Sequence, residues 1–232
     1  MAVNRTFRVF ISSAFSDMGE ERDALQTYIF PKVRAAAEAR GAYFYPIDLR
    51  WGISQKSRLD QQMINICFQE IDRCRRTSAD LNLVLLIGEH YGTCPLPPQI
   101  VAQEFKSLRG HLDRAQRRLL DRWYRCDDNA IPAEYRLLAR EDLFEAEEVW
   151  QVIETDLQRA LFKAAESFLP QGDPRRAKYE LSVTHQEFRR TISPKRDENS
   201  HVLVYWRESN GVSQRHLPFS HRPRATCRKC AP

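Results

Sequence analysis

The side chains of this sequence that could do chemistry are serines, carboxylates, an arginine and aromatics, each placed just after an apolar run. Ser12 and Ser13 follow the first run, Asp48, Arg50 and Trp51 the second, and His90 and Tyr91 the third. No GxxxxGKS/T segment is present to cradle a triphosphate. No GxGxxG follows the first run, whose turn reads Ser12-Ser13-Ala14-Phe15-Ser16. HExxH and the GxSxG nucleophile elbow are also missing from the sequence. A carboxylate among serines, an arginine and aromatics suits cleavage of an N-glycosidic bond. Its transition state is oxocarbenium-like, so a carboxylate can stabilise the developing charge or hold ribose hydroxyls. Trp51 or Tyr91 could stack on a base, and Arg50 could pair with a phosphate. Plainer roles compete: Trp51 as a core plug, Arg50 in a surface ion pair, and the serines as turn caps.

The elements that must position these residues alternate between strand and helix patterns. Phe7–Ser12, Tyr43–Asp48 and Leu81–Gly88 read as strands, and the unbroken apolar run of the third marks a central parallel strand covered on both faces. Pro46 suggests an edge position for the second strand. A first helix is predicted from Ser16-Asp17, with Glu20 completing a capping box, Leu25, Ile29 and Val33 as its buried stripe, and Pro31 as a kink. A second runs from about Arg58 to Arg76, apolar at Met63, Cys67, Ile71 and Cys74. This βαβαβ order predicts an α/β fold, a flavodoxin-like doubly wound parallel sheet of about four strands. Its ligands would sit at the strand C-termini, at the switch point between the first and third strands. That rule gathers Ser12, Ser13, Asp48 to Trp51 and Glu89 to Tyr91 around one crevice, and Glu187 on a later helix could face it too.

The pattern changes over about 93–180. One long amphipathic helix is predicted with Val101, Phe105, Leu108, Leu112, Ala115, Leu119 and Trp123 on one face, and another with Ala146, Val149, Trp150, Ile153, Leu157, Leu161, Ala164 and Phe168 in helical phase. Together they form an α-helical hairpin inserted into the α/β unit. His201–Trp206 then returns as a fourth strand. The expected organisation is therefore one α/β domain over 1–208 and a basic, disordered tail over 209–232.

The net charge of +5 belongs to that tail. Arg215, Arg222, Arg224, Arg228 and Lys229 lie beyond Glu208 with no acid among them, and the preceding chain carries 31 basic against 31 acidic residues. A nucleic-acid footprint would need a basic face on the folded domain, so no nucleic-acid partner is expected. Cys227 and Cys230 form a CxxC near His216 and His221, with little apolar framework to hold zinc, and no metal is expected. No signal-peptide core and no bilayer-length apolar run is found, which predicts a cytoplasmic protein without membrane attachment.

The residues assembled above resemble a known family, the TIR-like N-terminal domain of STAND-type NACHT proteins, often followed by WD repeats and related to a domain of telomerase-associated protein. The motifs are Val9-Phe10-Ile11-Ser12-Ser13, Phe15-Ser16-Asp17-Met18, Glu20-Glu21-Arg22 and Ile47-Asp48-Leu49-Arg50-Trp51-Gly52-Ile53. Cys67 with Glu70-Ile71, Ile87-Gly88-Glu89-His90-Tyr91-Gly92, Asp127-Asp128-Asn129 and Ser182-x-Thr184-x-x-Glu187 continue them, so the likeness spans Phe7 to Arg207. It implies a signalling or effector role in innate defence, self-association, and a downstream NACHT ATPase absent here, which suggests a truncated chain. Some TIR domains cleave NAD with a glutamate on the helix after the third strand. The implied counterpart is Glu187, with Glu104 as the fallback, and NAD would be a substrate; no cofactor is implied. A non-catalytic interaction module stays open beside this NAD(+) nucleosidase reading.

Overall fold

The computed structural model describes residues 5–14, 17–49, 56, 59–78, 81–192 and 201–207. Arg50, Trp51 and the 209–232 tail with its CxxC lie outside the described residues. Four strands, β1 (Arg5–Ser12), β2 (Ala42–Ile47), β3 (Leu83–Ile87) and β7 (Val202–Trp206), form a parallel sheet in the order β2-β1-β3-β7. With helices on both faces, this is the expected mixed α/β architecture, consistent with a flavodoxin/TIR-like doubly wound fold. Pro46 does lie in an edge strand. Central β3 is buried along Leu83–Leu86. Val84 and Leu86 point with Val9 and Ile11 towards Met18, Phe30 and Phe44. Leu83 and Leu85 point with Phe10 towards Cys67, Ile71 and Cys74 of helix α3 (Met63–Thr77). The alternation of strand side chains thus builds two cores, one on each face of the sheet.

The first helical segment departs from the expected single kinked helix. It comprises α1 (Gly19–Ala24), a π-helical turn over Leu25–Ile29, and α2 (Phe30–Glu38) with Pro31 in its first turn. The wider turn absorbs the proline, whose missing N–H costs nothing at a helix start, and it shifts the phase of the later helical positions. Ile29 and Val33 turn outward and Phe30 takes a buried position instead; Arg22, ahead of the turn, is buried as well. The expected capping box is also not formed: Met18 is the N-cap residue, and no side chain caps it. Asp17 is engaged elsewhere, at the rim of the sheet.

Between β3 and β7 the expected helical pair is present in modified form. Its first member divides into α4 (Ala102–Gly110) and α5 (Arg114–Trp123), because Asp113 starts a new helix with a full capping box to Gln116. Its second member is α6 (Glu147–Phe168). Ala115 is consequently exposed, and Leu120 replaces it inside. A small antiparallel sheet, β4 (Gln99–Val101), β6 (Glu134–Leu137) and β5 (Tyr124–Asp127), was not anticipated. Its three- and four-residue strands are too short and too polar to announce an alternating pattern. Phe105, Leu108, Leu120, Trp123, Trp150, Leu157 and Leu161 make a separate core there. Short α7 (Ala177–Glu180) and α8 (Val183–Thr191) then lead back to the sheet. Among the described residues, no helix is long and apolar enough to cross a membrane.

Candidate functional site

The C-terminal ends of β1 and β3 meet α8 at the switch point, and the polar side chains gathered there bond to one another. Ser12 closes β1 in the interior, where its hydroxyl donates to Glu187 Oε2 at 2.5 Å. Glu187 is 4% exposed, because α8 packs against α3 and β1 with this face inward. The Cys67 thiol of α3 is its second donor. Burial pushes the Glu187 carboxyl up to about 7; the hydrogen bonds from Ser12 and Cys67 and the charge of Arg22 pull the other way and lose. Burial and the neighbouring Glu187 raise the Cys67 thiol, so it stays protonated and able to donate.

Ser13 belongs to a second buried set. Arg22 on α1 donates through Nε to Ser13 Oγ at 2.7 Å, through Nη1 to Asp48 Oδ1, and through Nη2 to the Ile11 carbonyl at 3.4 Å. Arg22 and Asp48 are an ion pair with side chains 2% and 3% exposed. A guanidinium fork is suited to such a site because it satisfies several acceptors from one position. It ties the end of β1 to the end of β2 beneath α1.

A third set closes the rim. The Asp17 carboxylate accepts from the His90 backbone N–H at 2.9 Å and from Arg207, which also pairs with Glu21 at 2.6 Å. The carboxylate lies directly over Gly88: a Cβ there would come within 2.8 Å of Asp17 Cγ. Any side chain at this position would require the Asp17 carboxylate to move. A Gly88→Ala change should push Asp17 off both partners and cost about 2 kcal/mol, the scale of a charge-assisted hydrogen bond. Urea unfolding measures it, and a midpoint equal to wild type would contradict this role for Gly88.

Two of the expected site residues face outward. The His90 side chain is exposed. The Tyr91 ring is 43% exposed, and its hydroxyl lies 2.8 Å from His185 Nδ1 with the rings edge to face. Burial pushes the His185 imidazole down, with Arg189 adding to the effect. Glu104 sits apart from these groups. It accepts from Tyr179 Oη at 2.7 Å and Lys178 Nζ at 2.9 Å, among residues of the segment between β3 and β7. The structure therefore brings Glu187 to Ser12, and Asp48 to Ser13, in two adjoining networks.

Arg22, Cys67 and Arg207 were not anticipated at the site. Arg22 and Cys67 stood in the motifs, and a cysteine in phase with the apolar stripe of α3 reads as packing alone. Arg207 had no such signal. Among the described residues, no cluster of His, Cys, Asp or Glu could hold a metal ion. A shallow groove lined by Phe68, Pro174, Arg175, Lys178 and Arg189 opens between α3 and α8, away from the crevice residues.

Comparison with known proteins adds the context. Residues 8–112 match the family described as Domain of unknown function (DUF4062). NACHT domain- and WD repeat-containing protein 1 of Mus musculus is 38% identical over 122 residues, 52% of this chain and 8% of that protein. NACHT and WD repeat domain-containing protein 2 of Homo sapiens is 33% identical over 184 residues, 71% of this chain and 10% of that protein. Telomerase protein component 1 of Rattus norvegicus is 33% identical over 91 residues, 39% of this chain and 3% of that protein. The chain thus spans about a tenth or less of the length of these relatives. No solved structure gives a significant match.

Proposed function

We propose that this chain, homologous to the N-terminal region of NACHT- and WD-repeat proteins, is a TIR-like interaction domain of a STAND-type signalling protein. It acts in the cytoplasm through its surfaces, ahead of a NACHT ATPase domain, in a defence pathway. One observation carries this reading: the polar side chains at the switch point are turned inward and hydrogen-bonded to each other. Ser12, Cys67 and Glu187 form one buried set, and Ser13, Arg22 and Asp48 another. Buried polar networks of this kind specify a packing arrangement, and their donors are already committed. The family relation agrees, since the named relatives are multidomain proteins in which such a region is one module among several.

A second reading is favoured by the state of Glu187. A carboxyl pushed up to about 7 beside a serine hydroxyl has the acidity of a group poised for proton transfer or cation stabilisation near neutral pH. In that reading the domain hydrolyses NAD at its N-glycosidic bond. Glu187 stabilises the ribosyl cation, with Ser12 and Tyr91 positioning ribose and base. Water would add at the ribose anomeric carbon as nicotinamide leaves.

Incubating the purified, artificially clustered protein with NAD separates the two. The interaction reading expects nicotinamide release no greater from wild type than from a folded Glu187→Gln variant. Release by wild type that Glu187→Gln abolishes would overturn it in favour of the enzyme.

A further inference from the structure

The strand β7 has properties that no free sheet edge should combine. It pairs only with β3, so among the described residues its other side has no ladder partner. Its register with β3 sets Val202, Val204 and Trp206 on the α3 face of the sheet, beside Leu83, Leu85 and Ile87. Leu203 and Tyr205 fall on the face of α1 and α2, beside Val84 and Leu86. Only Val202 is drawn into a core. Leu203, Val204, Tyr205 and Trp206 are 54%, 47%, 48% and 65% exposed. Proteins protect open edges with charges, prolines or bulges, and Val202–Trp206 contains no charge and no proline. The opposite edge differs: β2 carries Pro46, which removes a ladder donor, and although Tyr43 and Tyr45 are exposed, Ala42 and Phe44 bury its other face.

We infer that two copies of this chain associate by pairing β7 with β7, antiparallel about a two-fold axis, so that two four-stranded sheets become one. The inference rests on the interaction-module reading and names its partner and surface. A strand that fits this edge must be uncharged and apolar on both faces, and β7 itself meets that description. Centred on Val204, the antiparallel register sets Val202 opposite Trp206 and Leu203 opposite Tyr205. A small β-branched residue then meets a large ring, and an aliphatic one meets an aromatic, as stable cross-strand pairs do. Pairing β7 to the β2 edge of another copy would instead be head-to-tail and open-ended, and Pro46 opposes it. A self-paired β7 uses both free edges at once and stops at a dimer.

Sedimentation of the full 232-residue chain tests this. Wild type should be a dimer at micromolar concentration. Val204→Lys places two ammonium groups at the axis and should weaken the dimer at least about 30-fold, the scale of a hot-spot loss, with an unchanged far-UV spectrum. Val204→Cys should form a disulfide-linked dimer under mild oxidation, whereas Val152→Cys, on the exposed side of α6, should not. A wild type that stays monomeric overturns the pairing. A dimer that survives Val204→Lys overturns the β7 surface and leaves the interaction reading standing with another interface. Growth beyond a dimer overturns the two-fold arrangement. None of these results depends on nicotinamide release, which is the separate readout for the interaction reading.

Discussion

Replacing Arg22 with methionine should destabilise the domain by about 3–5 kcal/mol, because it leaves the Asp48 carboxylate buried without its cation. The pair is enclosed between α1 and the ends of β1 and β2, and Arg22 also holds Ser13 and the Ile11 carbonyl. That loss is a large part of the roughly 5–15 kcal/mol by which a typical domain is stable, so the variant should unfold far more easily in urea. The double variant Arg22→Met with Asp48→Leu distinguishes an ion pair from simple packing. Removing both charges takes away the desolvation cost as well as the attraction, so the double variant should regain most of the loss. If the double variant were as unstable as the two single losses added together, the contribution would come from shape and not from charge.

The second large effect is a pH dependence carried by Glu187. In the folded chain its carboxyl is pushed up to about 7 by burial, against 4.5 as the ordinary value. Between these values the folded state binds more protons than the unfolded one, so stability falls as pH rises. The contribution is complete below about pH 4.5 and is lost by the time pH passes 7, a total of about 3 kcal/mol. Glu187→Gln keeps the shape and an acceptor for Ser12 but cannot ionise. The variant should match wild type near pH 4.5 and exceed it by about 3 kcal/mol at about pH 8. Unfolding curves at a series of pH values measure this. Parallel curves for the two proteins would mean that Glu187 does not titrate in the fold.

The sheet was legible because its signals are local. A doubly apolar Leu83–Leu86 run, a proline in β2 and period-matched cysteines in α3 each say where they sit without reference to distant residues. The segment between β3 and β7 was legible in composition but not in detail. Helical phase marked Phe105, Leu108 and Trp123 as one face, and it could not show that Asp113 interrupts the run. The first helix misled for a related reason. One π turn before Pro31 changes the phase of every later position, and no single residue type announces it. The site was half legible. Fold order brought Ser12, Asp48 and Glu187 towards one crevice, and family motifs contained Arg22 and Cys67. Inward orientation is a property of packing between α1, α3 and α8, which sequence spacing does not encode. The Asp17 contact is the clearest instance: an acid that reads as a helix cap is drawn away by a glycine and an arginine 71 and 190 positions along.

That same Arg207 contact determines how the domain would carry a load. Arg207 follows directly on the last residue of β7 and is bound to Asp17 and Glu21, beside the end of β1. Because all four strands run the same way, β1 starts at one end of the sheet and β7 finishes at the other. A pull between the start of β1 and a tether beyond Arg207 therefore acts along the strands. The five residue pairs joining β3 and β7 would resist together in shear instead of parting one by one, and the Arg207 bridges would have to yield first. A domain strung to a large partner by its last strand would hold its shape under tension.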